Sequence, residues 1–151
     1  MDKNKFWRKN YIFDNQIEIH IPYCYEKKEE KDNQYFFIKE KCKGIFLTYI
    51  ETETEDVKGE IYNIYHKLKN KESNISQLEV MKRTWRGIEQ YMLKFSNDEK
   101  NNYIIVIFYK NNKQFLIEFS YIGEFDECWE KECEYILNTI HFIEGEVKNG
   151  N

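Results

Sequence analysis

A chain of 151 residues is about one domain long and buries roughly 68–70% of the surface its unfolded form exposes, so it needs no disulfide or metal staples to fold. Its net charge of -4, with both signs interspersed, lacks the basic excess of a general nucleic-acid binder, and no stretch reaches the ~20 apolar residues of a membrane span. Aromatic residues make up 17%, Ala is absent and Pro22 is the sole proline, a balance that leans towards sheet because aromatics, Ile and Thr suit strands and the best helix former is missing.

The N-terminal stretch "MDKNKFWRKNYIFDN" breaks each short apolar run with charge, so it carries no signal-peptide core and the expected compartment is the cytoplasm. The four cysteines (Cys24, Cys42, Cys128, Cys133) are accordingly expected as free thiols. "QIEIHIPYCY" alternates Ile17, Ile19 and Ile21 against Glu18 and His20, the pattern of a half-buried strand that Pro22 ends. The charged run "EKKEEKDN" is expected as a turn or loop, "QYFFIKEK" as a second strand, and "GIFLTYIE" as a third, opened by Gly44. The period then changes: Val57, Ile61, Ile64 and Leu68 recur at helical spacing with Tyr65 beside them, Thr54 or Asp56 can cap the first turn, and Glu55 and Asp56 suit the positive end of the helix dipole.

From Ile75 the period returns to two, with Glu79, Met81, Arg83 and Trp85 against Leu78, Val80, Lys82 and Thr84, until Gly87 turns the chain into "IEQYMLKFS" as a hairpin partner. "SNDEKNN" is a loop, "YIIVIFY" a central strand, and "KNNK" a tight turn in which Asn tolerates positive φ. "QFLIEFSYI" places Phe115, Ile117, Phe119 and Tyr121 on one face. The last helix begins after Gly123, with Phe125, Trp129, Cys133, Ile136, Leu137 and Ile140 as its apolar stripe, and the polar tail 146–151 frays. The predicted order is βββ, α, ββββ, α, with a short last strand around Ile140 to Ile143: one α+β domain over residues 1–145, an antiparallel sheet of about six or seven strands with two main helices packed on it.

Cys128 and Cys133 are five apart on a helix, about 140° around its axis, and do not present a chelating pair, while Cys24 and Cys42 are isolated. The thiols are expected as small apolar groups. His20, His66 and His141 fall on three separate elements, and no nucleophile signature accompanies them. The acids of "ETETEDVKGE" and "EFDECWEKE" suit solvated faces and helix caps, and no glycine-rich phosphate loop occurs. In "KRTWRG", strand alternation splits Arg83 and Trp85 from Lys82. The sequence therefore predicts no catalysis, no cofactor and no metal.

The aromatic surplus remains. Tyr and Trp are favoured at protein interfaces but equally occupy half-buried core positions, so either use is open for them here. The candidate partner-binding residues are Tyr23, Tyr25, Tyr35, Trp85 and Tyr91, with the acids Glu51, Glu53 and Glu55 as a rim.

The early strand running into "IPYCY", the segment "RGIEQYMLKFS", and the C-terminal run "KQFLIEFSYIGEFDECWEKECEYILNTIHF" resemble, in that order and over nearly the whole chain, the PsbP-like fold superfamily. Members include the extrinsic PsbP protein of photosystem II, a nuclear-import factor that binds the Ran GTPase, and several families of small bacterial domains. The resemblance implies a small bacterial cytoplasmic member whose work is binding. The expected function is a non-enzymatic protein-binding domain, such as an immunity protein or adaptor-chaperone for a toxin or secreted effector. No binding residue carries over position by position. The competing expectation is a carrier of a small hydrophobic ligand, which requires an enclosed apolar cavity of several hundred Å3 between sheet and helix.

Overall fold

The computed structural model describes residues 7–31, 33–71, 75–97, 100–124 and 126–143. In chain order the elements are β1 (Trp7–Ile12), β2 (Ile17–Pro22), β3 (Glu26–Lys31), β4 (Gln34–Lys39), β5 (Lys43–Glu51), α1 (Val57–Lys71), β6 (Ile75–Trp85), β7 (Ile88–Asn97), β8 (Asn101–Lys110), β9 (Lys113–Ile122), α2 (Glu127–Asn138) and β10 (His141–Phe142). The α+β class predicted from the sequence is the one observed. Seven strands form an antiparallel sheet in the order β3-β4-β5-β9-β8-β7-β6, and β1, β2 and β10 form a separate three-stranded sheet. After β5 the chain passes through α1 to the far edge and returns by two hairpins, until β9 pairs β5 from Lys43↔Tyr121 to Glu51↔Lys113.

Period-two alternation splits the large sheet into two faces. Its inner face carries Phe37, Ile45, Leu47, Ile104, Val106, Phe108, Phe115, Ile117 and Phe119, packed with Ile17, Ile19 and Ile21 of β2 and with Trp129, Cys133, Ile136 and Leu137 of α2. The outer face carries a smaller core in which Val57 and Ile61 of α1 cover Tyr91, Leu93, Phe95, Ile105 and Ile107. The two helices thus lie on opposite faces. Asp126 caps α2, accepting a hydrogen bond from the Cys128 amide at 2.8 Å, and Asp56 caps α1, accepting from Gly59 N at 2.8 Å. Phe125, expected at the head of the α2 stripe, and the tail 146–151 lie outside the described residues.

Two segments differ from expectation. "EKKEEK" is strand β3, not a loop: it is an edge that pairs only with β4, from Glu26↔Ile38 to Lys31↔Gln34, with a bulge between Lys27 and Glu29. Backbone pairing places it there, and its Lys and Glu side chains stay mostly exposed, which blunts an edge against further pairing. The charged segment before Ile12 is strand β1, paired with β2 from Trp7↔Pro22 to Ile12↔Ile17. Only Ile12 is buried in it, so it carries no apolar alternation to read. The β1–β2 turn places Phe13, Asp14 and Asn15 at φ 56°, 58° and 62°, and the "KNNK" turn places Asn111 and Asn112 at 53° and 60°.

Candidate functional site

α1 lies over β6, β7 and β8. Leu116 of β9 borders the core beneath α1, and beyond it the outer face on β9, β5 and β4 carries no helix among the described residues. Register brings Phe36 opposite Phe46, and Phe46 opposite Glu118, whose other cross-strand neighbour is Ile105. Ile38 pairs with Gly44, and Ile50 and Ile122 extend the same face with 55% and 57% of their surface exposed. Close packing fixes the centre: a Cβ on Gly44 would stand 3.2 Å from the Phe36 ring and 2.8 Å from Ser120 Oγ. The half-buried Glu118 carboxyl is pushed above the usual carboxylate range by burial alone. The result is a surface on which Phe36, Ile38, Phe46, Ile50 and Ile122 alternate with the polar Thr48, Gln114 and Ser120, around one acid, Glu118, that has no charge partner among the described residues.

The inner face has a groove of about 350 Å3 between α2 and the β6–β7 hairpin. Met81, Met92, Ile104 and Cys133 line it. Lys94 Nζ meets Glu130 Oε2 at 2.6 Å across it, and Arg83 Nη2 donates to Asn138 Oδ1 at 2.5 Å. Burial lowers the pKa of Arg83 and the Glu134 carboxylate opposes that shift. Cys133 is the one thiol in this groove, and burial, reinforced by Glu132, raises its pKa far above the usual thiol range, so it stays protonated and is no nucleophile as it stands. Cys24 and Cys128 are exposed. Among the described residues no three His, Cys, Asp or Glu side chains converge as metal ligands, and no helix is long and apolar enough to cross a membrane.

The eight residues selected from the sequence do not form one patch. Tyr25 and Tyr35 are buried in the inner core and Tyr91 in the outer core beneath α1. Tyr23 is exposed in the β2–β3 turn, with the Arg8 guanidinium 4.7 Å from its ring centroid. Trp85 is half-buried at the tip of β6 on the inner side, between Arg83 and Arg86 at 5.5 and 5.2 Å. The acids divide as well: Glu51 lines an inner-side recess with Tyr49 and Lys113, whereas Glu53 and Glu55 act on Tyr109, which belongs to the outer face. Sequence reasoning missed Phe36, Phe46 and Glu118. The available signal is the lone acid in "FLIEF": alternation sends Glu118 to the side away from Ile117 and Phe119.

No family model matches the chain, and no curated protein matches it in sequence. Solved structures do match in shape. The solution structure of the cyanobacterial PsbP protein, CyanoP, from Synechocystis superposes with a TM-score of 0.65 at 10% identity, covering 91% of this chain and 92% of that one. A crystal structure from Bacteroides thetaiotaomicron superposes at 0.61 and 13% identity, covering 92% of this chain and 49% of that one. A Pseudomonas aeruginosa protein of unknown function, PA94, superposes at 0.54 and 7% identity, covering 88% and 94%. Identities this low speak to architecture alone, and the architecture of this chain is the PsbP-like fold.

Proposed function

We propose that the chain is a non-enzymatic protein-binding domain whose docking surface is the helix-free half of the outer sheet face. The observation that carries this is Glu118, a carboxylate without a described charge partner set among Phe36, Phe46, Ile105 and Leu116. Burying a charge without a partner costs stability, so such a residue is best accounted for by an occupant that supplies the missing cation. The occupant is a polypeptide segment with apolar side chains flanking a Lys or Arg, of the kind an immunity protein or adaptor-chaperone for a secreted effector would hold. Phe36 and Phe46 supply apolar area and Glu118 the charge selectivity.

The test is affinity capture from the native host at physiological expression, comparing the native chain with Phe36→Ser/Phe46→Ser and with Tyr23→Ala. A partner retained by the native chain and by Tyr23→Ala but lost by the double variant supports the proposal. Recovery of no partner, or one that ignores the double variant, overturns it. The carrier alternative draws less support, because the void bounded by Ile12, Ile19, Phe115 and Ile140 in the inner core is about 10 Å3 and the larger groove beside α2 is open.

A further inference from the structure

On the inner side of the sheet, the β1–β2 turn faces the adjoining ends of β3, β4, β5 and β9 across an open, mostly polar cleft of about 890 Å3. Tyr35 is its buried member: the residue is 6% exposed, lines the cleft, and its hydroxyl has no hydrogen-bond partner among the described residues. The side-chain atoms that are both unpaired and shut off from water among those residues belong to Trp85 and Gln90, so the Tyr35 hydroxyl is open to solvent. A hydroxyl both donates and accepts, and one that the fold leaves unused is free for a ligand.

The wall formed by the turn is held in an uncommon conformation. Phe13, a bulky residue at φ 56°, is 2% exposed and packs edge-on against the rings of Tyr35 and Tyr49, at 5.4 and 4.9 Å. That packing fixes a left-handed turn that non-glycine residues avoid, and it brings Asp14 to the same cleft as Glu51 and Lys113. Charge across the lining nearly balances. Glu30 and Lys31 are engaged elsewhere, with Lys27 at 2.8 Å and Glu29 at 3.8 Å, whereas Asp14, Glu51 and Lys113 have no ion pair among the described residues. The Tyr49 ring already carries a cation, Lys113 Nζ at 5.8 Å from its centroid, so it is not free to cage a second. Tyr11 is different: it lines the cleft with 52% of its surface exposed.

We propose that this cleft binds a neutral saccharide of about two rings. Sugar hydroxyls both donate and accept, so one ligand donates to Asp14 and Glu51, accepts from Lys113 and pairs with the Tyr35 hydroxyl. The C–H face of a pyranose is apolar and slightly positive, which matches the negative face of the Tyr11 ring. At ~30 Å3 per water the cleft holds roughly thirty waters' volume, room for the about 23 heavy atoms of a disaccharide and some bridging water. The site lies on the inner side of the sheet, away from the docking face proposed above, and stands or falls independently of it.

The experiment titrates maltose, cellobiose and lactose into the isotope-labelled chain and follows the backbone amides of Asn15, Gln16, Glu51 and Lys113 by NMR. Glycerol, spermidine and citrate serve as comparisons at matched ionic strength. The expected result is a saturable shift of these amides with at least one disaccharide, and none with glycerol, which has hydroxyls but no ring face. Tyr11→Ala alters an exposed side chain and Tyr35→Phe removes a hydroxyl that the fold does not use, so both should keep the native urea midpoint. Each should weaken binding about fivefold, the scale of one lost contact. Absence of saturation with all three disaccharides overturns the proposal. Saturation by glycerol, or tighter binding of spermidine or citrate, overturns it as well, by showing general hydroxyl affinity or a site for charge. Undiminished binding to either variant does the same, because the sugar then sits elsewhere.

Discussion

The Tyr25 hydroxyl donates a 2.9 Å hydrogen bond to Glu132 Oε2, joining the β2–β3 turn to the middle of α2 across 107 residues of sequence. Lys43 Nζ approaches the same oxygen at 3.6 Å. Burial first, and the Glu132 charge second, push the tyrosine's pKa far above its ordinary 10.0. A raised folded value means that the contribution is fully present below the unfolded value and is lost as pH rises beyond it. Tyr25→Phe should lower stability by about 1.5 kcal/mol at neutral pH, the scale of a hydrogen bond to a charged acceptor, and should remove the corresponding loss of stability above pH 10.0. Urea denaturation across that range measures both effects.

The thiols separate by environment. Cys24 and Cys128 are exposed and Cys133 is buried against the inner core, its pKa raised above 9.0 chiefly by burial. Iodoacetamide on the folded chain should modify Cys24 and Cys128 and spare Cys133 until denaturant is added, since only the accessible thiolate reacts. Peptide mass mapping reads this directly. Rapid modification of Cys133 in the folded chain would show that the groove beside α2 opens down to the thiol.

The α2 stripe is legible in the sequence because Trp129, Cys133, Ile136 and Leu137 repeat at helical spacing, and all four are buried. The inner face of β9 is legible for the same kind of reason, at period two. What escapes is structure set by backbone pairing with no apolar pattern behind it: β3, whose side chains mostly face water, and β1, which buries one residue. The candidate surface escapes for a further reason. Alternation shows that Glu118 lies opposite the core, but α1 could have covered either half of the outer face, and only the folded topology leaves the β9-β5-β4 half bare. Tyrosine content misleads because the same ring serves core and interface: Tyr25, Tyr35 and Tyr91 are inside.

The β6–β7 turn gives a clean measure of backbone preference. Gly87 has φ +79° with open space around the position of a Cβ. Gly87→Ala meets no clash, so its cost is the left-handed conformation alone, about 1 kcal/mol. Thermal or urea unfolding should show that loss. A neutral result would mean that the turn relaxes to another conformation, which would move Trp85 and Ile88 out of register and be visible as changed cross-strand contacts between them.

Glu118 links stability to the proposed docking surface. A carboxyl whose folded pKa is raised by burial contributes most to stability while protonated, below its ordinary 4.5, and that contribution is lost as pH rises through the folded value. Glu118→Gln keeps the shape and removes the charge. It should therefore raise the urea midpoint at neutral pH and make little difference below pH 4.5. Binding should move the other way, because a partner's Lys or Arg loses its counter-charge and the captured complex weakens, most clearly at low salt. A stabilising change that weakens binding is the mark of a residue kept for recognition at the expense of the fold. An unchanged midpoint at neutral pH would mean that water already satisfies the carboxylate, and the charge argument for a basic partner would then lose its basis.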